Sequence, residues 1–130
     1  QAADAVVIDF HAEATSEKMC FAHFVDGRAS AVIGTHTHQP TADHQILTGG
    51  TGYISDAGMC GDYDSSLGMD WDEPLNRFLY KVPKGRFEAA DGPATVCGLG
   101  LEISDRTGLT EAIAPLRLGP RLEETVPAFW

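Results

Sequence analysis

The sequence predicts an α/β fold that opens strand, helix, strand and closes on a C-terminal β-hairpin. Three observations carry this reading. Residues 5–10 (AVVIDF) and 29–34 (ASAVIG) are short apolar runs of strand length, and a helix-like segment lies between them. Near the other end, Thr95, Cys97, Leu99, Leu101 and Ile103 alternate with smaller or polar residues, as one strand of a hairpin does. With 130 residues and 43% hydrophobic content, the chain can bury a core, and residues 1–130 are read as a single domain.

Taken in order, residues 5–10 are β-branched and apolar, the pattern of a strand covered on both faces. Residues 16–25 follow a Thr15/Ser16 cap signal, carry Phe21, Ala22, Phe24 and Val25 at helical spacings, and stop at Asp26-Gly27. A strand over 29–34 then makes a crossover and a parallel pair the expected arrangement. Residues 45–47 and 52–55 read as two further strands around the glycine-rich turn Thr48-Gly49-Gly50-Thr51. From 56 to 72 no period is sustained, and a long ordered loop is expected. A short helix over 73–80 follows, with Asp72 as cap, Pro74 in the first turn, Leu75, Phe78 and Leu79 on one face, and Pro83 beyond its end. The closing hairpin turns at residues 105–108 and returns over 109–116.

The net charge of −10, from 19 acidic and 9 basic residues, argues against a broad surface for nucleic acid or anionic membrane, both of which need clustered Lys and Arg. A small phosphorylated ligand stays compatible, because bound metal supplies positive charge locally. Cys20, Cys60 and Cys97 form no CxxC pair, so neither a disulfide framework nor a zinc ribbon is indicated, and a cytoplasmic setting is expected. No apolar run is long enough to span a bilayer as a helix. The opening on Gln1, with no initiator Met, reads like a cut inside a longer protein or a processed or engineered terminus.

Chemistry concentrates in three of the five histidines. His11 follows the first apolar run, and His36 and His38 follow the second in Gly34-Thr35-His36-Thr37-His38. Ligand and metal sites of open α/β sheets gather at the carboxyl ends of strands, where both clusters are expected to fall. If the backbone stays extended, His36 and His38 point to one side and Thr35 and Thr37 to the other. Imidazoles so placed suit Zn, Fe, Mn or Ni. Singly, each histidine would more simply be a capped or solvent-facing residue; together they make a metal site. His23, in the helix, and His44, in a loop, are read as structural or surface residues. Asp9 and Glu13 flank His11 and are read as helix caps in preference to groups that orient it. The aspartates of the 56–69 loop are either part of a substrate mouth or solvated turn formers, and Trp71 and Trp130 are read as packing residues, Trp130 alternatively as a contact with another segment or subunit.

The stretch DFHAEATSEK at residues 9–18, then Asp26-Gly27-Arg28, GTHTH at 34–38 and Thr41-Ala42-Asp43, resembles the second half of YmdB-like, calcineurin-type metallophosphoesterases. Ile46-Leu47, Gly50-Thr51, Tyr53-Ile54, Asp56, Gly58-Met59, Tyr63-Asp64 and Gly68-Met69 continue the likeness in the same order. The resemblance implies half of a calcineurin-like α/β/β/α sandwich and a dinuclear site at the strand ends, holding iron or manganese, with zinc as a further occupant. By position it assigns His11 and His36 to one metal and His38 to the other. The family's carboxylate and asparagine ligands and its catalytic histidine have no counterpart here, so no catalytic residue is assigned within the chain. The expected function is metal-dependent hydrolysis of a small phosphodiester such as a 2',3'-cyclic nucleotide, with a missing N-terminal half or a homo-oligomer partner completing the site. The competing reading is a non-catalytic metal-binding or regulatory module that keeps the half-fold.

Overall fold

The computed structural model describes residues 3–130; Gln1, on which the internal-cut reading rests, lies with Ala2 outside the described residues. The chain is mixed α/β. Eight elements follow one another: β1 (Val7–His11), α1 (Thr15–Val25), β2 (Ala31–Thr35), β3 (Gln45–Ile46), β4 (Gly52–Ile54), α2 (Asp72–Tyr80), β5 (Val96–Ile103) and β6 (Thr110–Leu118). A four-stranded sheet has the order β1-β2-β4-β3, and β5 and β6 form a second, two-stranded sheet. As expected, β1 and β2 are parallel, with Val7 opposite Ala31 and His11 opposite Thr35. β4 joins β2 in parallel, and β3 returns antiparallel onto β4 across the glycine-rich turn.

The core is small and lies between α1 and the sheet. Ala22, Val32, Leu47 and Tyr53 are buried there, with Ile8, Phe10, Phe21 and Val25 packed against them. Phe10 stacks on Phe21 with ring centroids 4.3 Å apart, which fastens β1 to α1. Gly34 is required where β2 passes β4: a Cβ there would lie 1.9 Å from the Ser55 carbonyl oxygen, an impossible approach. The hairpin docks on the same sheet by polar bonds, since Thr110 N–H donates to Gly50 at 3.0 Å and its hydroxyl donates to the Ser30 carbonyl at 2.7 Å. Its two strands slip register between Glu102 and Ile103.

Several expectations are corrected. β1 is not covered on both faces: it stands at the edge of the sheet with Val7 54% exposed, because no strand or helix among the described residues covers it on that side. Helix α1 starts after Ala14, and no side chain caps it, so the Thr15/Ser16 signal does not operate as a cap. The cap of α2 is Trp71, with Asp72 already inside the helix as a first-turn carboxylate complementing its dipole. The 56–72 loop is ordered by single bridges, Gly61 to Thr95 and Met69 to Ala89, which tie it to the segments around the hairpin. Among the described residues, no helix is long and apolar enough to cross a membrane.

Candidate metal centre

β1, β2 and β4 run parallel, so their carboxyl ends meet at one edge. His11 is the last residue of β1, and Thr35 faces it as the last residue of β2. In-register residues of parallel strands project to one face, as do positions two apart, which places Asp9, His11 and Thr35 together. The Thr35 hydroxyl donates to Asp9 Oδ1 at 3.1 Å and lies 3.0 Å from His11 Nδ1. Its one proton is committed to the carboxylate, so the hydroxyl accepts from His11 Nδ1–H. That bond fixes the tautomer and leaves Nε2 of His11 with its lone pair outward. Asp9 is therefore not a helix cap; it orients His11 through Thr35, the role that the sequence alone makes the less favoured of the two.

The Nε2 atom of His11 lies 3.4 Å from Nδ1 of His36, and the rings meet edge to face. As a hydrogen bond this is long. It equals the separation of two nitrogens bound at about 2.1 Å to one tetrahedral ion, about 3.4 Å. His38 takes another course: its Nδ1 lies 3.0 Å from the Leu67 carbonyl, an acceptor only, so Nδ1 carries the proton and Nε2 is left bare. Among the described residues, no three His, Cys, Asp or Glu side chains converge as a complete metal cluster. The structure thus brings His11 and His36 together and holds His38 apart.

Extended alternation does not aim these rings. β2 ends at Thr35, and the backbone turns to φ 147° at His36 and 64° at His38, values that non-glycine residues rarely take. Leu67, whose carbonyl holds His38, also has a positive φ of 56°. Strained residues in this density mark a site that its surroundings over-determine. The surroundings centre on Asp56, buried with 1% exposure, which the sequence does not distinguish from a solvated turn former. Its Oδ2 accepts the Thr37 N–H at 2.7 Å, its Oδ1 accepts the Gly58 N–H at 3.0 Å, and Lys18, equally buried, stands 3.6 Å away. Nothing in the sequence pairs Lys18 with Asp56, since a lysine on a short helix ordinarily faces water.

Around this centre, burial of the Tyr63 hydroxyl and the neighbouring Cys97 thiol push the phenol up; it stays protonated and donates within the loop. His44 is half-buried and His23 exposed, and both lie outside the cluster. The three cysteines are free thiols, Cys97 buried and the others exposed. A cleft lined by Asp70, Glu73, Asn76 and Lys84 contains none of the histidines; His11, His36 and His38 are all exposed.

The family described as YmdB-like protein matches residues 1–116. The chain belongs to that family. A 2',3'-cyclic-nucleotide 2'-phosphodiesterase of Bacillus subtilis (strain 168) is 53% identical over 102 residues, 78% of this chain and 38% of that protein. A crystal structure of a hypothetical protein from Thermus thermophilus superposes with a TM-score of 0.83 at 46% identity, covering 92% of this chain and 46% of that one. A second, described as a novel phosphatase from Mycoplasma pneumoniae, gives 0.80 at 34% identity over 97% of this chain and 43% of that one. This member of the YmdB-like family thus spans about two fifths of the length of the curated relatives it matches.

Proposed function

We infer that this chain contributes histidine ligands to a two-ion centre for hydrolysis of a small phosphodiester, a 2',3'-cyclic nucleotide being the favoured substrate. The observation that carries the inference is the 3.4 Å spacing of His11 Nε2 and His36 Nδ1, which suits two ligands of one ion. The residues present fit such a group: imidazole nitrogens suit iron, manganese and zinc, and the proton held on Nδ1 of His11 leaves its Nε2 free to bind. His38, its Nδ1 engaged by Leu67, offers Nε2 to the second ion. When bound, the ions supply charge to the phosphoryl oxygens and acidify a water molecule. His11 is kept in orientation by Thr35 and Asp9, and all three histidines are exposed, so a ligand can reach them. The family resemblance of the site and the name of the Bacillus subtilis relative support the reaction class. The remaining ligands and the acid that protonates the leaving oxygen would come from the part of the relatives' length that this chain does not span, or from another subunit. In that setting the fold is one half of a two-sheet α/β/β/α sandwich.

A second reading is favoured by His38 standing apart from the other two rings: a non-catalytic metal-binding or interaction module. One experiment separates them. Iron, manganese and zinc are counted per chain, and hydrolysis of 2',3'-cyclic AMP is assayed, in the longest form of the protein and in its His36→Ala variant. Bound metal and turnover that both fall at least tenfold in the variant support the enzyme. Unchanged metal content sinks the ligand assignment, and metal without turnover in the longest form supports the module.

A further inference from the structure

We propose that Lys18 and Asp56 form a buried positioning pair for the two-histidine loop, setting where His36 and His38 present their rings and hence how tightly the centre binds its ions. The proposal rests on the reading of these histidines as metal ligands. Lys18 reaches from α1 beneath the sheet, donates to the Ser55 carbonyl at 2.8 Å and faces Asp56 Oδ2 at 3.6 Å. At that distance it acts as a buried counter-charge, while the short hydrogen bonds of the carboxylate go elsewhere. One of them, at 2.7 Å, takes the N–H of Thr37, the residue between the two histidines. The other takes the N–H of Gly58 at 3.0 Å. The two segments are then laced together on either side of the carboxylate, by Ala57 N–H to the Gly34 carbonyl at 2.9 Å and Met59 N–H to the His38 carbonyl at 3.1 Å.

The loop needs such a hub because both histidines sit at positive φ, a conformation that relaxes unless it is held. A buried ion pair is by itself weak evidence of a contribution to stability. This one is aimed: its charge-assisted bond ends on the peptide that joins the two metal-facing residues. Sequence spacing alone would never single out the pair, whereas the geometry gives each partner a separate task, Lys18 to hold the charge and Asp56 to hold the loop.

The test uses the 130-residue chain labelled with nitrogen-15, as Asp56→Asn, Lys18→Met and the double Lys18→Met/Asp56→Asn variant. The double variant leaves no unpaired buried charge and is the fair comparison where Lys18→Met alone unfolds. Without metal, the Thr37 amide is expected to exchange at least about tenfold faster and the His38 ring to lose the shift of an Nδ1–H bonded to a carbonyl. With Zn²⁺ added as probe, affinity is expected to fall about 10- to 100-fold while the signals of β2 and β4 remain those of the folded chain. A folded double variant with unchanged Thr37 exchange and unchanged His38 shift overturns the proposal, and so does one that fails to fold, since the pair would then serve the core. His36→Ala is titrated in parallel. If it loses Zn²⁺ and the double variant does not, positioning fails and the ligand reading stands; if it keeps Zn²⁺, the ligand reading fails and the metal-free signals decide the positioning of the loop.

Discussion

Thr35 is the residue on which the orientation of His11 turns. Its hydroxyl is the single link between the Nδ1–H of His11 and the Asp9 carboxylate. Thr35→Val keeps the shape and removes the link, so Zn²⁺ or Mn²⁺ affinity measured by titration calorimetry is expected to fall about 10- to 100-fold. The melting temperature should hardly move, because the side chain is half-buried at an open edge. Thr35→Ser should restore binding; a valine variant that binds as the parent does would leave the relay without a role. The histidines stand out as candidates in the sequence because of their residue type and their place after an apolar run. The helpers are not. Asp9 before a helix reads more readily as a cap than as an orienting group, and only the register of His11 against Thr35 decides between them. Lys18 and Asp56 meet through a fold that brings α1 beneath β4, a contact no local pattern encodes.

The elements are legible where periodicity and turn chemistry agree. The parallel β1/β2 pair, the β3/β4 hairpin over Thr48-Gly49-Gly50-Thr51, helix α2 and the β5/β6 hairpin all stand where spacing puts them, within a few residues. What spacing does not give is the tie between α1 and the β3/β4 turn. Asp26, at the end of α1, accepts the Gly49 N–H at 2.7 Å and the Thr51 N–H at 3.1 Å. Partial burial raises the pKa of Asp26, but these bonds outweigh it and hold the carboxyl below its ordinary value. Asp43 is lowered in the same way by Thr41 and Ser55, again against burial. A carboxylate with a lowered folded pKa stabilises the fold above its unfolded value, about 4, and that contribution is lost as pH falls through the folded value. Chain stability should therefore be flat near neutral pH and drop below about pH 4. Asp26→Asn should cost about 1 kcal/mol at pH 7 and shrink the difference between pH 7 and pH 3, as read by urea unfolding at both pH values. An acid limb as steep as that of the parent would mean that Asp26 is not its source.

The whole chain exposes more surface than its mass predicts. A compact monomer of 13.9 kDa presents about 6,700 Å², whereas this chain presents 8036 Å². The excess is comparable with one partner's share of a stable interface, about 800 Å², or larger. It is also apolar in places: Val7 on the edge strand is 54% exposed, and Leu75, Phe78 and Leu79, which the sequence groups on one face of α2, are 49%, 72% and 56% exposed. An apolar run such as residues 5–10 reports what a strand is made to face, and here the described residues provide no cover, which is why sequence gives its strand character correctly and its burial incorrectly. Exposed edges and apolar faces of this extent drive association. The chain alone is expected to associate, with a mass by multi-angle light scattering that rises with concentration. Phe78→Glu with Leu79→Lys should lower that mass at equal concentration and leave the melting temperature within a few degrees, since neither side chain belongs to the core between α1 and the sheet. A sharp monomer at every concentration would show that 8036 Å² is tolerated without cover, and would remove the physical argument that another segment or subunit closes over β1 and α2.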